Sequence, residues 1–190
     1  TPDAKILQLL SAAYELRHEY FGNKVKLNYL VNARSGVCQE DCGYCSQSKF
    51  ADTNVDKYGL INEQELIEGA QRAVDHKAST CCLVTSARGP SEKDIERFSS
   101  AVGKIKEQHP DLKICACLGI LKEGQADRLQ EAGVDRYNHN INTADSHHDK
   151  VTTTHTYEDR VNTVEKSKAA GISPCSGVII GMGETAEQLV

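Results

Sequence analysis

Apolar positions recur along this chain at two spacings, and the two alternate. From Ala4 to Tyr20, with Asp3 in the N-cap position, Ile6, Leu9, Ala13, Leu16 and Tyr20 fall on one side at helical spacing. Lys24 to Asn32 (KVKLNYLVN) reads as a strand. Asn62-x-x-Glu65 has the form of a capping box, and Leu66, Ile67, Ala70, Ala73 and Val74 follow it at helical spacing. Thr80 to Ser86 (TCCLVTS) is a short run of the kind found in strands covered on both faces. Ser91-x-x-Asp94 opens the next helix, which must stop before Pro110. The cycle then repeats. Lys113 to Leu118 is a strand, Gln125 to Ala132 a helix ended by Gly133, and Arg136 to Asn140 a short strand. Thr156-x-x-Asp159 caps a helix to Ala170, Ser173 to Ile180 is a fifth strand, and Thr185-x-x-Gln188 opens a last helix.

Five strands alternating with helices predict right-handed βαβ units and a parallel sheet. The fold class is α/β: an open sheet or part of a (β/α)8 barrel. A full barrel takes about 250 residues, so the 190 residues here would hold about its first five βα units. Neither a repeat nor a low-complexity linker divides the chain. One domain over 1–190 is expected, incomplete at the C-terminus and, as the chain does not begin with Met, at the N-terminus too.

Composition removes several function classes. The formal net charge is −5, which argues against a nucleic-acid binder held by phosphate contacts. No apolar run approaches the roughly 20 residues of a membrane span. No basic-then-apolar leader is visible. A cytoplasmic protein is expected, or a mitochondrial one in a eukaryote.

Cysteine changes the picture: there are eight, against one Met and no Trp. In a small secreted protein that count would suggest a disulfide framework. Here three crowd together as Cys38-x-x-x-Cys42-x-x-Cys45, in a loop after the first strand. Three thiolates can wrap one soft metal centre. On a [4Fe–4S] cube they leave one iron open, a mark of catalysis rather than structure. The alternative is a zinc site completed by a ligand from elsewhere, such as a histidine. Cys82, Cys115 and Cys175 lie on the second, third and fifth strands, and thiols from different strands of a parallel barrel can converge on its axis. Singly, each would read as a small buried hydrophobe. Cys81 and Cys117 are read as such core residues.

Two further segments carry polar or glycine-rich chemistry. Asn138, Asn140 and Asn142 alternate at the end of the fourth strand and would present three carboxamides on one side, with His139 packed on the other. A carboxamide both donates and accepts, which suits a ribose hydroxyl or a cyclic urea. Turn chemistry is the alternative. Gly177 to Thr185 (GVIIGMGET) lets the backbone approach a ligand, but no Walker lysine follows, which speaks against an NTPase.

In this order the segments NARSGVCQEDCGYCSQS, the Cys82 strand, KICACLG, DRYNHNINT, TTTHTYEDRVNT and SPCSGVIIGMGET resemble the biotin synthase family of radical SAM enzymes, which have a (β/α)8 barrel. The resemblance runs from about Lys24 to the end of the chain. It implies that Cys38, Cys42 and Cys45 hold a [4Fe–4S] cluster whose open iron chelates S-adenosylmethionine (SAM). It implies a [2Fe–2S] cluster on Cys82, Cys115 and Cys175, with a fourth ligand, an arginine, beyond Val190. Tyr44 and Ile179 would contact the adenine of SAM, Asn140 and Asn142 the ribose, and Arg160 the methionyl carboxylate. Asn138 and Asn140 would bind the ureido ring of dethiobiotin. The family's fuller motif often has Asp where this chain has Asn142. The implied activity is sulfur insertion into dethiobiotin after radical cleavage of SAM, with the [2Fe–2S] cluster as sulfur donor. A flavodoxin- or ferredoxin-type donor and a homodimer come with the family. The competing classes are a radical SAM enzyme without sulfur insertion, a non-catalytic Fe–S or zinc protein, and a disulfide-stapled interaction domain.

Overall fold

The computed structural model describes residues 5–190; the N-cap expected at Asp3 and the helix start expected at Ala4 lie outside them. Helix α1 (Ile6–Phe21) comes first and buries none of its residues. Five strands follow: β1 (Asn28–Arg34), β2 (Thr80–Thr85), β3 (Lys113–Cys117), β4 (Arg136–Asn138) and β5 (Ser173–Cys175). They form one parallel sheet in the order β1-β2-β3-β4-β5. The crossovers carry α2 (Glu63–Asp75), α3 (Glu92–Gln108), α4 (Gln125–Glu131), and the pair α5 (Asp145–His148) and α6 (Tyr157–Ala169). The short α7 (Ala186–Leu189) follows β5.

The helix starts are local chemistry. Asn62 Oδ1 accepts from Glu65 N at 2.9 Å while Glu65 Oε2 accepts from Asn62 N at 2.8 Å. The same reciprocal pair opens α3 at Ser91, α6 at Thr156 and α7 at Thr185. Each cap contributes on the order of 1 kcal/mol by satisfying backbone donors the helix itself leaves free. They set where each helix begins, and so which face it lays on the sheet. Gly69 shows how close α2 comes: a Cβ there would sit 2.7 Å from the Val31 side chain.

Strand alternation divides the sheet into two faces. Val31, Cys81, Leu83, Ile114, Ala116 and Tyr137 point outward and are buried against Leu66, Phe98, Ile105 and Leu129 of the helices. Each of the larger aliphatic side chains stabilises by roughly 1.5–3 kcal/mol. The opposite, inner face carries Cys82, Cys115, Cys117, Asn138 and Cys175. The packed core thus lies on the outer side of the sheet, and the inner side carries thiol and polar groups together with Leu30 and Val84.

Several expected boundaries move, and β1 also runs on to Arg34 rather than stopping at Asn32. β1 begins at Asn28 rather than Lys24 because pairing with β2 begins at Asn28–Thr80. β4 ends at Asn138 and β5 at Cys175, not at Asn140 and Ile180. Beyond them the two segments stay bonded (His139 N to Cys175 O at 3.0 Å, Ile179 N to Asn142 O at 2.8 Å) but kink. The kink is at Asn142, which adopts φ +71°, a left-handed conformation that Asn tolerates better than most residues. Asn138, Asn140 and Asn142 therefore do not alternate along one strand.

Candidate functional site

A cleft of about 430 Å³ opens at the C-terminal ends of the strands, where parallel α/β folds build their sites. Cys38, Cys42 and Cys45 all line it. They sit on the loop between β1 and α2, which turns on itself: Lys49 N donates to Cys38 O at 2.8 Å and Cys45 N to Cys42 O at 3.0 Å. Cys42 is buried; Cys38 and Cys45 are half-buried. Burial pushes the Cys38 thiol above its ordinary pKa.

The loop is clasped from a distance. Gly43 N donates to Val151 O at 3.0 Å. The Asp41 carboxylate accepts from Thr152 Oγ1 (2.7 Å), Thr153 N (2.9 Å), Thr153 Oγ1 (2.5 Å) and Thr154 Oγ1 (3.0 Å). These bonds, led by the Thr153 and Thr152 hydroxyls, hold its carboxyl well below the usual carboxylate range. Glu40 is buried. Burial alone would raise its pKa, but bonds from Thr154 and His155 outweigh burial and keep it low. Arg88 also reaches Glu40, at 3.1 Å.

Arg160, buried near the start of α6, spans the cleft wall. Its NH1 donates to Asn140 O at 2.9 Å and its Nε to His155 Nε2 at 2.8 Å, while NH2 lies 3.8 Å from Cys42 Sγ. With its carboxamide oxygen toward these donors, Asn142 accepts from Tyr44 Oη at 2.5 Å and from both terminal nitrogens of Arg160 at 3.2 Å. Burial pushes the Tyr44 phenol up to about 12, so it remains a donor. Tyr44, Asn140, Asn142 and Arg160 are therefore gathered at one place with the three thiols. Ile179 is not: it bonds Asn142 through its backbone but does not line the cleft.

The strand thiols lie on the inner face of the sheet, the floor beneath the cleft; Cys82, Cys115 and Cys175 are not part of the cleft lining. Cys82 and Cys115 are partners across the β2–β3 pair. The hydrogen bond from Cys115 lowers Cys82 to about 7 and raises Cys115. Cys175 pairs with Asn138 one pleat higher and accepts from Asn138 Nδ2 at 3.3 Å. Cys81 is a core residue as expected. Cys117 is not. It lines the cleft, and its Sγ lies 3.5 Å from Asn138 Oδ1, so Asn138 is flanked by two thiols. The reason is parity: Cys117 is two residues beyond Cys115 and so shares its face. Burial pushes its thiol up to about 11. His139 is buried with Nε2 unpartnered, and burial followed by the Arg160 charge lowers it to about 3.

Among the described residues, no three His, Cys, Asp or Glu side chains converge as one metal ion requires. A cluster asks for something different, since each thiolate binds its own iron. Three thiols opening into one cleft, with the Arg160 guanidinium beside Cys42 to offset negative charge, fit that demand. The partners that hold this arrangement (Glu40, Asp41, Thr152 to His155) were not foreseen from the sequence. Their only trace there is a polar TTTH run just before a capping box. No helix among the described residues is long and apolar enough to cross a membrane.

Comparison with known proteins agrees with this geometry. The model of the radical SAM superfamily matches residues 33–190. A biotin synthase of Lysinibacillus sphaericus is 57% identical over 188 residues, covering 99% of this chain and 56% of its own length. One from Anoxybacillus flavithermus is 57% identical over 189 residues, with 100% and 57% covered. The chain thus spans little more than half the length of these relatives. Among solved structures, methylornithine synthase superposes with a TM-score of 0.81 at 25% identity, over 95% of this chain and 52% of that one. The FeFe-hydrogenase maturase HydG from Carboxydothermus hydrogenoformans gives 0.76 at 18% identity, over 90% and 40%. These superpositions identify the five-stranded sheet as part of a radical SAM barrel.

Proposed function

This chain belongs to the radical SAM superfamily, and on that premise we propose that it is the part of a biotin synthase that binds the [4Fe–4S] cluster, SAM and one side of the substrate pocket. Superfamily membership carries with it a [4Fe–4S] cluster and SAM. The finer assignments rest on the relatives and on the placement of side chains. The observation that carries them is one cleft lined by Cys38, Cys42, Cys45 and Arg160, with Cys82, Cys115 and Cys175 on the inner face of the sheet beneath it rather than in its lining.

Cys38, Cys42 and Cys45 would hold the [4Fe–4S] cluster, and Cys82, Cys115 and Cys175 a [2Fe–2S] cluster. When bound and reduced, the first supplies the electron that cleaves SAM, and the second supplies sulfur. Arg160 offers its guanidinium to the methionyl carboxylate; a planar fork of donors matches that group. Tyr44, with its hydroxyl tied to Asn142, offers a ring face for adenine. Asn140 and Asn142, gathered on the same wall as Arg160, would meet the ribose. Asn138, between Cys117 and Cys175, offers one donor and one acceptor to the ureido ring of dethiobiotin. Ile179 supports this reading least: its backbone is engaged with Asn142. The electron would come from a flavodoxin- or ferredoxin-type donor, and the whole protein would be a homodimer, as the resemblance implies.

The test is electron paramagnetic resonance on anaerobically reconstituted, dithionite-reduced chain. A [4Fe–4S]+ signal that changes when SAM is added is expected. A cluster signal indifferent to SAM would overturn the SAM site. Iron and sulfide stoichiometry for a single cube only would leave the strand cysteines without a cluster and favour a radical SAM enzyme that inserts no sulfur.

A further inference from the structure

Two buried side chains that the proposed chemistry does not itself use, Glu40 and His155, form a relay with Arg160. Glu40 lies inside the cluster loop, between Cys38 and Cys42. Its Oε2 bonds His155 Nδ1 and also accepts from Thr154 Oγ1 at 2.7 Å. His155 Nε2 lies 2.8 Å from Arg160 Nε. An arginine nitrogen can only donate. His155 Nε2 must therefore be a lone pair, the proton sits on Nδ1, and that proton points at Glu40. The imidazole is thus neutral and of fixed tautomer, oriented at both ends. All three residues are at most 7% exposed. Arg160 completes a ring by returning to the loop at Cys42 Sγ and to Asn140 O.

From this geometry we propose that His155, oriented by Glu40, is the positioning residue for Arg160. Resting on the reading of Arg160 as the carboxylate site for SAM, it makes SAM affinity depend on a side chain that never touches SAM. Arg160 Nε–H has a single acceptor, and that bond, with those of NH1 to Asn140 O and of both terminal nitrogens to Asn142, fixes the guanidinium plane. Without it the Nε side of the group loses its anchor and the fork of NH1 and NH2 loosens. Glu40 ties the same imidazole to the cluster loop, so the thiols and the fork are held in one frame. Groups of this kind, one contact removed from the ligand, alter affinity or activity about 10–100-fold in metal sites.

The test compares the chain with His155→Leu, which fills the space but neither donates nor accepts, and with His155→Gln, whose amide can do both. Each is reconstituted anaerobically. Iron content is measured first, then binding of SAM and of decarboxylated SAM by equilibrium dialysis. Iron content should equal that of the unsubstituted chain in both variants. His155→Leu should weaken SAM about tenfold or more and decarboxylated SAM less than about twofold, so that the preference between them collapses. His155→Gln should restore most of that preference. Equal weakening of both nucleosides, or no weakening, overturns the proposal. Loss of the cluster in either variant also overturns it, because the relay would then serve the loop rather than Arg160. An unsubstituted chain that holds its cluster but ignores SAM removes the SAM reading itself, an outcome the dialysis separates from the others.

Discussion

The two thiol sets are held by different physics. Cys38, Cys42 and Cys45 lie in one loop, close in sequence, and their placement depends on residues more than a hundred positions away: Asp41 with Thr152 and Thr153, Glu40 with His155, Gly43 with Val151. Cys82, Cys115 and Cys175 are scattered in sequence, yet strand register alone brings Cys82 to Cys115 and Cys175 to Asn138. A loop needs a clasp because its backbone bonds do not define one shape. A parallel sheet needs only correct parity. The rim is therefore the fragile half and the floor the stiff one.

The sharpest break of that contrast comes from deleting one thiol in each set. Cys42→Ala should abolish the SAM-responsive EPR signal altogether. Cys82→Ala should leave that signal intact while iron content falls by the share of the second cluster. If Cys82→Ala also destroyed the SAM response, rim and floor would not be independent. Next in size is the clasp itself. Asp41→Ala removes the acceptor of three threonines. The rim cluster should then pass its iron to a chelator such as bathophenanthroline several-fold faster, with the floor cluster unaffected. Equal rates before and after the change would mean that backbone contacts alone hold the loop.

The smallest effect is in acid. His139, His148 and His155 all have their pKa values lowered, each first by burial, with the Arg160 charge adding to it. A depressed histidine binds its proton more readily unfolded than folded. Its contribution is therefore complete above about pH 6.5 and is lost as pH falls toward the folded value, about 3 for His139. Each such group steepens the loss by at most about 1.4 kcal/mol per pH unit. Thermal unfolding followed by circular dichroism should show the midpoint falling from pH 7 to 5. His139→Gln should flatten that slope; an unchanged slope would mean that His139 is not held neutral.

Much of this was legible in the sequence. All five strands and the four reciprocal caps follow from apolar spacing and from Asn62, Ser91, Thr156 and Thr185, because those signals are local. Strand ends were not legible: β5 stops at Cys175 because the partner segment after β4 turns left-handed at Asn142 and breaks the regular ladder, a fact about a neighbour rather than about SPCSGVII. Cys117 was misplaced for want of a parity count that Cys115, two residues earlier, already contained. Glu40 and His155 lie inside the segments that carry the family resemblance, but no spacing pattern gives either a role. A glutamate in a loop and a histidine before a helix cap become meaningful only when folding brings them together across 115 positions.

Helix α1 buries none of its residues, although Leu7, Tyr14, Tyr20 and Phe21 are all large and apolar. In deuterated water that difference becomes a clock. With no packed face, α1 is stabilised by little beyond its own ladder, and a helix of this length on its own is marginal. Its amides should exchange close to the rate of an unstructured peptide, whereas those of α3 around Phe98 and Ile105 should wait for the sheet itself to open.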